Sequence, residues 1–124
     1  MLMRVFLVED SAAVRERLVE LIEATDGNLV VGQADNHCDA VSGIARTRPD
    51  VAIFDIRLAC GNGIDALVEA RRCMPQLVGI IMSNHAIPQY LKASIDAGAR
   101  YFLDKSCDFE RIPEILSSLH ADRH

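Results

Sequence analysis

Short, uninterrupted apolar runs recur along this chain, and they limit what it can fold into more than any other feature. Val5-Phe6-Leu7-Val8, Leu29-Val30-Val31, Val51-Ala52-Ile53-Phe54 and Val78-Gly79-Ile80-Ile81-Met82 are continuous rather than alternating. A strand with one wet face alternates apolar and polar residues; a strand buried on both faces does not. Arg100-Tyr101-Phe102-Leu103 is a shorter and weaker fifth run. Between the runs lie helical patterns. Ser11 can cap a helix that places Val14, Leu18, Leu21 and Ile22 on one face. Ala40, Val41 and Ile44 mark a second, ending before Arg48-Pro49, and Ile64, Leu67 and Val68 a third, ended by Pro75. Leu91 and Ile95 lie in a fourth, which opens near Pro88 and stops at Gly98. Ile112, Ile115, Leu116 and Leu119 form the last, with Pro113 in its first turn and regular geometry from near Glu110. Five β-α units in succession predict an α/β fold, a doubly wound parallel sheet with helices on both faces.

A chain of 124 residues fits one domain, here spanning residues 1–124, with no repeat, linker or low-complexity segment. The formal net charge of −5 argues against direct binding to nucleic acid or to an anionic membrane. The apolar start, Met1 to Val8, ends at Glu9-Asp10, too soon for a signal peptide. No run approaches the roughly 20 apolar residues of a membrane span, so a cytoplasmic protein is expected. Cys38, Cys60, Cys73 and Cys107 form no CxxC pair and no zinc-ligand spacing with the histidines. They read as small hydrophobes in a reducing compartment.

In open α/β sheets, ligands bind beyond the carboxyl ends of the strands, where the strand order reverses. The first run ends in Glu9-Asp10, the third in Asp55, the fourth in Ser83, and the fifth near Lys105. Three carboxylates at one edge repel each other and raise each other's pKa values. A hard divalent cation such as Mg²⁺ resolves that conflict, since it takes oxygen ligands and few protein carboxylates. A carboxylate can also act as a nucleophile and become an aspartyl-phosphate. Lys105 could then supply an ammonium, and Ser83 a hydroxyl, to the phosphoryl oxygens. Taken singly, Asp10 could be a helix cap, Ser83 a loop hydroxyl and Lys105 a surface charge. Their joint placement at four strand ends is the informative feature.

With these residues in view, the chain resembles the receiver domain of two-component response regulators, most of all the stand-alone, chemotaxis-regulator type. The resemblance rests on Val8-Glu9-Asp10-Ser11, Phe54-Asp55-Ile56-Arg57-Leu58, Ile80-Ile81-Met82-Ser83 and Gly98-Ala99-Arg100-Tyr101-Phe102-Leu103-Asp104-Lys105, and runs from Arg4 to about Leu119. It implies a flavodoxin-like sheet of order 2-1-3-4-5. Asp55 would be the phosphoacceptor, charged by a histidine kinase or phosphotransfer protein. Asp10 and Asp55 would ligate Mg²⁺ with the backbone carbonyl of Arg57, and Glu9 would act largely through water. Ser83 and Lys105 would contact the phosphoryl group. Phe102 would be the aromatic whose rotamer responds to phosphorylation, with Tyr101 on the opposite face. Arg57 and His85 would stand at the rim of the path by which water attacks the acyl phosphate. The resemblance makes the chain a switch rather than an enzyme, with only self-phosphorylation and self-dephosphorylation.

Two positions depart from the family pattern. Ala59 stands where a Pro is frequent, and the loop Ala59-Cys60-Gly61-Asn62-Gly63 gains a glycine and is expected to be looser. Ser106 follows Lys105 where a Pro with a cis bond is frequent, which leaves the isomer open, since a cis bond before a non-proline costs about 3–4 kcal/mol.

Output is expected through the face of helix four, strand five and helix five, where Lys92, Asp96, Arg100 and Asp104 suit a reversible contact with a downstream protein or a second copy of the chain. Other readings fit less well. A receiver cut from a longer DNA-binding regulator is the nearest. A flavodoxin-like binding module would need a glycine- and hydroxyl-rich loop after the first run, where Glu9-Asp10 would repel a phosphate. A phosphatase with an aspartyl nucleophile would want a second Asp two residues after the first, and Ala12 stands there.

Overall fold

The computed structural model describes residues 2–85 and 87–122. Met1, which opens the N-terminal run discussed above, lies outside them. Five strands and five α-helices alternate: β1 Met3–Val8, α1 Ala12–Glu23, β2 Asn28–Ala34, α2 His37–Thr47, β3 Val51–Asp55, α3 Gly63–Cys73, β4 Val78–Ser83, α4 Pro88–Asp96, β5 Ala99–Asp104 and α5 Ile112–Asp122. The strands form one parallel sheet in the order β2-β1-β3-β4-β5. A 3₁₀ turn over Phe109–Arg111 leads into α5, so Pro113 sits in the first turn, where its missing N–H has no partner to lose.

Two apolar layers cover the sheet. One packs Val5, Leu7, Ile53, Ile80 and Met82 against Leu18 and Ile22 of α1 and Ile112, Ile115, Leu116 and Leu119 of α5. The other packs Phe6, Val8, Phe54 and Ile81 against Ala40 and Ile44 of α2 and Ala66, Leu67 and Ala70 of α3. Alternation along each strand therefore divides one continuous apolar run between two cores. Phe6 is fully buried because Gly32 and Gly43 leave it room: a Cβ on either would stand 2.5 or 2.6 Å from its ring.

Three expectations need correction. β2 is an edge strand, not a doubly buried one, and Leu29 is exposed. All four cysteines are exposed free thiols, and the interior is filled without them. Most informative is α4. Leu91 and Ile95 point outward, 44% and 61% exposed, while Ser94 is its one buried residue. Ile87 just before the helix is exposed as well.

The Ser94 hydroxyl has no hydrogen-bond partner among the described residues. A buried, unpaired hydroxyl costs on the order of 1–3 kcal/mol, and Ala is the better helix former. Ser94→Ala is expected to raise stability by about 1 kcal/mol in denaturant titrations. A loss of stability would show that the hydroxyl is satisfied in solution.

Candidate functional site

Parallel strands all deliver their carboxyl ends to one edge of the sheet, and the residues singled out above meet there. Glu9 and Asp10 follow β1, Asp55 and Ser83 end β3 and β4, and Lys105 follows β5. The Lys105 N–H donates to the Ser83 carbonyl at 2.9 Å, which ties that end of β5 to β4. The Lys105 ammonium donates to both oxygens of Glu9, at 3.1 and 3.0 Å, and to Oδ2 of Asp55 at 3.2 Å. These three side chains are only 8%, 1% and 8% exposed. Asp10 is exposed beside them, and Glu9, Asp10 and Asp55 each offer a carboxylate oxygen within 4.8 Å of the others.

The electrostatics follow from two buried carboxylates sharing one ammonium. Burial, then the neighbouring Asp55, pushes Glu9 up to about 7, and Lys105 only partly opposes this. Burial alone would lower the Lys105 pKa, but its bonds to Glu9 and Asp55 outweigh that and raise it. An added divalent cation would relieve the excess negative charge, and oxygen-only ligands suit Mg²⁺. Asp104, outside the cluster, is held low by the Ser106 hydroxyl and N–H, which donate to it at 2.6 and 2.8 Å.

The β3–α3 loop is better anchored than its glycines suggest. Arg57 pairs antiparallel with Asn62 across it. Ala59 N–H donates to Asp35 O at 3.0 Å, and His37 N–H to Cys60 O at 3.0 Å. Gly61 takes φ +81°, a conformation open to glycine. Gly63 begins α3 so close to the phosphoacceptor candidate that a Cβ there would lie 2.0 Å from the Asp55 carbonyl oxygen. The Arg57 side chain is exposed and lines a groove of about 670 Å³ between this loop and α4. No peptide among the described residues is cis, so the Lys105–Ser106 bond is trans.

Ser83 does not face the carboxylates with its hydrogen bonds. Its hydroxyl donates to the His85 carbonyl and accepts the His85 N–H, both at 3.0 Å. His85 is exposed. Phe102 packs against the α2–α3 core and Tyr101 against the α1–α5 core, so the two do lie on opposite faces.

Some site residues escaped the sequence reading. Arg15 in α1 donates to the Glu9 carbonyl at 2.6 Å. Asn36 and Asn62 cap α2 and α3, accepting the N–H of Asp39 and Asp65. Their signal was present as Asn-x-x-Asp at both helix starts, a relative of the capping box.

Comparison with known proteins agrees with this geometry. Residues 5–117 match the model of the response regulator receiver domain. The chain belongs to that family. The receiver is 32% identical over 122 residues to the DNA-binding transcriptional activator DevR/DosR of Mycobacterium tuberculosis, covering 98% of this chain and 56% of that protein. It is also 32% identical to the chemotaxis protein CheY of Thermotoga maritima, covering 94% and 96%. Among solved structures it resembles a LuxR-family two-component response regulator from Aurantimonas, with TM-score 0.91, 27% identity, and coverage of 98% and 87%. The response regulator domain of Thermotoga maritima CheB superposes with TM-score 0.84 at 28% identity, covering 98% and 96%. The chain thus spans about half of one relative's length and nearly all of the other's. No helix among the described residues is long and apolar enough to cross a membrane.

Proposed function

We propose that this receiver is charged on Asp55 by a histidine kinase or phosphotransfer protein and signals by phosphorylation-dependent contact with another protein. The observation that carries the reading is the Glu9–Lys105–Asp55 cluster: a buried carboxylate whose ammonium partner already stands 3.2 Å away, with exposed Asp10 alongside. Asp10, Asp55 and the Arg57 carbonyl would hold Mg²⁺, with Glu9 acting through water. The bound cation would neutralise charge on the phosphoryl oxygens. An Asp55 oxygen is the nucleophile, and the phosphorus bond to the donor breaks as the new one forms. Lys105, released from part of its bonding to Asp55, turns to a phosphoryl oxygen. Ser83 donates to another only by giving up the bond it donates to the His85 carbonyl, so phosphorylation loosens the start of the β4–α4 connection. Phe102 then rotates into the space that Ser83 leaves. Arg57 and His85, both exposed at the rim, orient or slow the attacking water. The chain is a phosphoacceptor switch working in the cytoplasm, and residues 1–124 act as one domain.

The output face is that of α4, β5 and α5. Its charges are largely paired, Lys92 with Asp96 and Arg100 with Asp122. Its free resource is apolar: Ile87, Leu91 and Ile95. A downstream protein, or a second copy of the chain, would bury them. A second reading is supported by coverage: since the chain matches 56% of DevR/DosR, it could equally serve as the receiver part of a DNA-binding regulator. The length of the natural open reading frame decides between these.

The primary experiment incubates the protein with Mg²⁺ and acetyl phosphate and follows intact mass. One phosphoryl group is expected to add, and the addition to vanish in Asp55→Ala or without Mg²⁺. Modification mapped to a peptide lacking Asp55 would overturn the reading.

A further inference from the structure

The acidic cluster depends on where the backbone of Glu9 lies, and the peptides on its two sides are each held by a hydrogen bond. The Glu9 N–H donates to the Ala34 carbonyl of β2 at 2.9 Å. The Glu9 carbonyl accepts from Arg15 Nη1 at 2.6 Å. That carbonyl belongs to the planar Glu9–Asp10 peptide, so fixing it fixes the plane from which both acidic side chains depart. Arg15 is half-buried in α1, which Ser11 caps. A long side chain near a helix start leans back over the preceding turn, here toward the mouth of β1. Arg15 also lines a polar cavity with Gln33, Asp35 and Asp39, so it stands where α1, the end of β1 and the end of β2 come together.

We propose that Arg15 is a positioning residue for the divalent cation, orienting the Glu9–Asp10 peptide so that both carboxylates meet Asp55. This rests on the reading of that cluster as a Mg²⁺ site. Two effects of Arg15 oppose each other. Its positive charge repels a cation, and its hydrogen bond organises the ligands. Groups that orient metal ligands from behind typically change affinity by about 10–100-fold when removed. Screening by solvent and by the acids themselves weakens the repulsion. Orientation therefore wins.

The test is Mg²⁺ titration of the full chain, followed by the amide NMR signals of Asp10 and Asp55, in the parent and in Arg15→Ala, Arg15→Lys and Arg17→Ala. Arg15→Ala is expected to raise the Mg²⁺ Kd about tenfold or more. Arg15→Lys keeps a charged donor and is expected to recover most of the affinity. Arg17→Ala, on the same helix as Arg15, loses the contacts of Arg17 with Glu110 and the Phe109 ring, yet is expected to leave the Kd within about twofold. If Arg15→Ala does not fold, Arg15→Met keeps the aliphatic stem and carries the same expectation. An unchanged or tighter Kd on removing the guanidinium overturns the proposal while leaving the metal site standing. Equal weakening in Arg17→Ala overturns it too, since helix stability would then be the cause. A parent that shows no saturable Mg²⁺ binding overturns both this proposal and the metal-site reading beneath it.

Discussion

Lys105→Ala is expected to be among the most damaging single substitutions in this chain, and its cost is expected to depend on pH and on Mg²⁺. Removal of the ammonium leaves Glu9 and Asp55, both buried, without their shared partner. Breaking a buried ion pair by deleting one member typically costs 3–5 kcal/mol. Glu9 can lessen that cost by taking up a proton, which it does more readily at pH 6 than at pH 8 because its pKa already stands at about 7. The loss should therefore be near 3 kcal/mol at pH 8 and smaller at pH 6. Mg²⁺ should restore part of it, because the cation supplies the missing positive charge. Urea unfolding at the two pH values, with and without Mg²⁺, checks all three statements. Equal destabilisation under every condition would mean that Lys105 acts through packing of its stem and not through charge. The same variant should fail to take up a phosphoryl group on Asp55 at the parent's rate, since among the described residues no other lysine or arginine hydrogen-bonds the side chain of either buried acid.

The placement of these groups was legible from the sequence because it depends only on local order. A carboxylate that follows a strand lies at that strand's carboxyl end whatever the neighbours are. Parallel strands bring all such ends to one edge. The five runs were therefore enough to gather Glu9, Asp10, Asp55, Ser83 and Lys105. What the runs could not give is which strand lies at the edge of the sheet. Leu29-Val30-Val31 reads like Val51-Ala52-Ile53-Phe54, yet β2 has a neighbour on one side only and Leu29 is exposed. The order 2-1-3-4-5 came from family resemblance, not from the residues themselves.

Helix α4 shows the same limit from another direction. Leu91 and Ile95 are spaced as an inward stripe, and an isolated helix gives no reason to doubt it. The helix instead turns Ser94 inward, with Tyr90 and Ala97 packed on the α2–α3 core beside it. A buried serine with apolar residues outside is a local conflict, and such conflicts gather where a surface has work to do. Arg15 was missed for a different reason. Its partner is a backbone carbonyl, and a carbonyl carries no residue identity for a pattern to find. The hydrogen bond becomes predictable only once α1 is placed after β1 with Ser11 as its cap.

A downward pH slope in stability that saturating Mg²⁺ abolishes is the second large effect expected of this molecule. Glu9 has a folded pKa near 7 against an ordinary value of 4.5, so between those values the folded state holds a proton that the unfolded chain releases. The stability that this proton contributes is fully present below 4.5 and is lost as pH rises through about 7. Without metal, the protein should thus become less stable from pH 6 to pH 8. Mg²⁺ competes with the proton, because Glu9, Lys105 and Asp55 form one cluster and a divalent charge favours the carboxylate. With one proton displaced and a pKa near 7, about one-eleventh of Glu9 is ionised at pH 6 and ten-elevenths at pH 8. The Mg²⁺ Kd should consequently fall roughly tenfold over that interval. The stability added by saturating Mg²⁺ should grow with pH by about 1.4 kcal/mol, the equivalent of that tenfold change. Glu9→Gln, which cannot ionise, is the variant that tests the assignment of this proton to Glu9. It should bind Mg²⁺ with a nearly flat pH profile and remove the downward stability slope of the metal-free protein. Persistence of the full tenfold change in Glu9→Gln would assign the proton to another group and would remove Glu9 from the metal linkage.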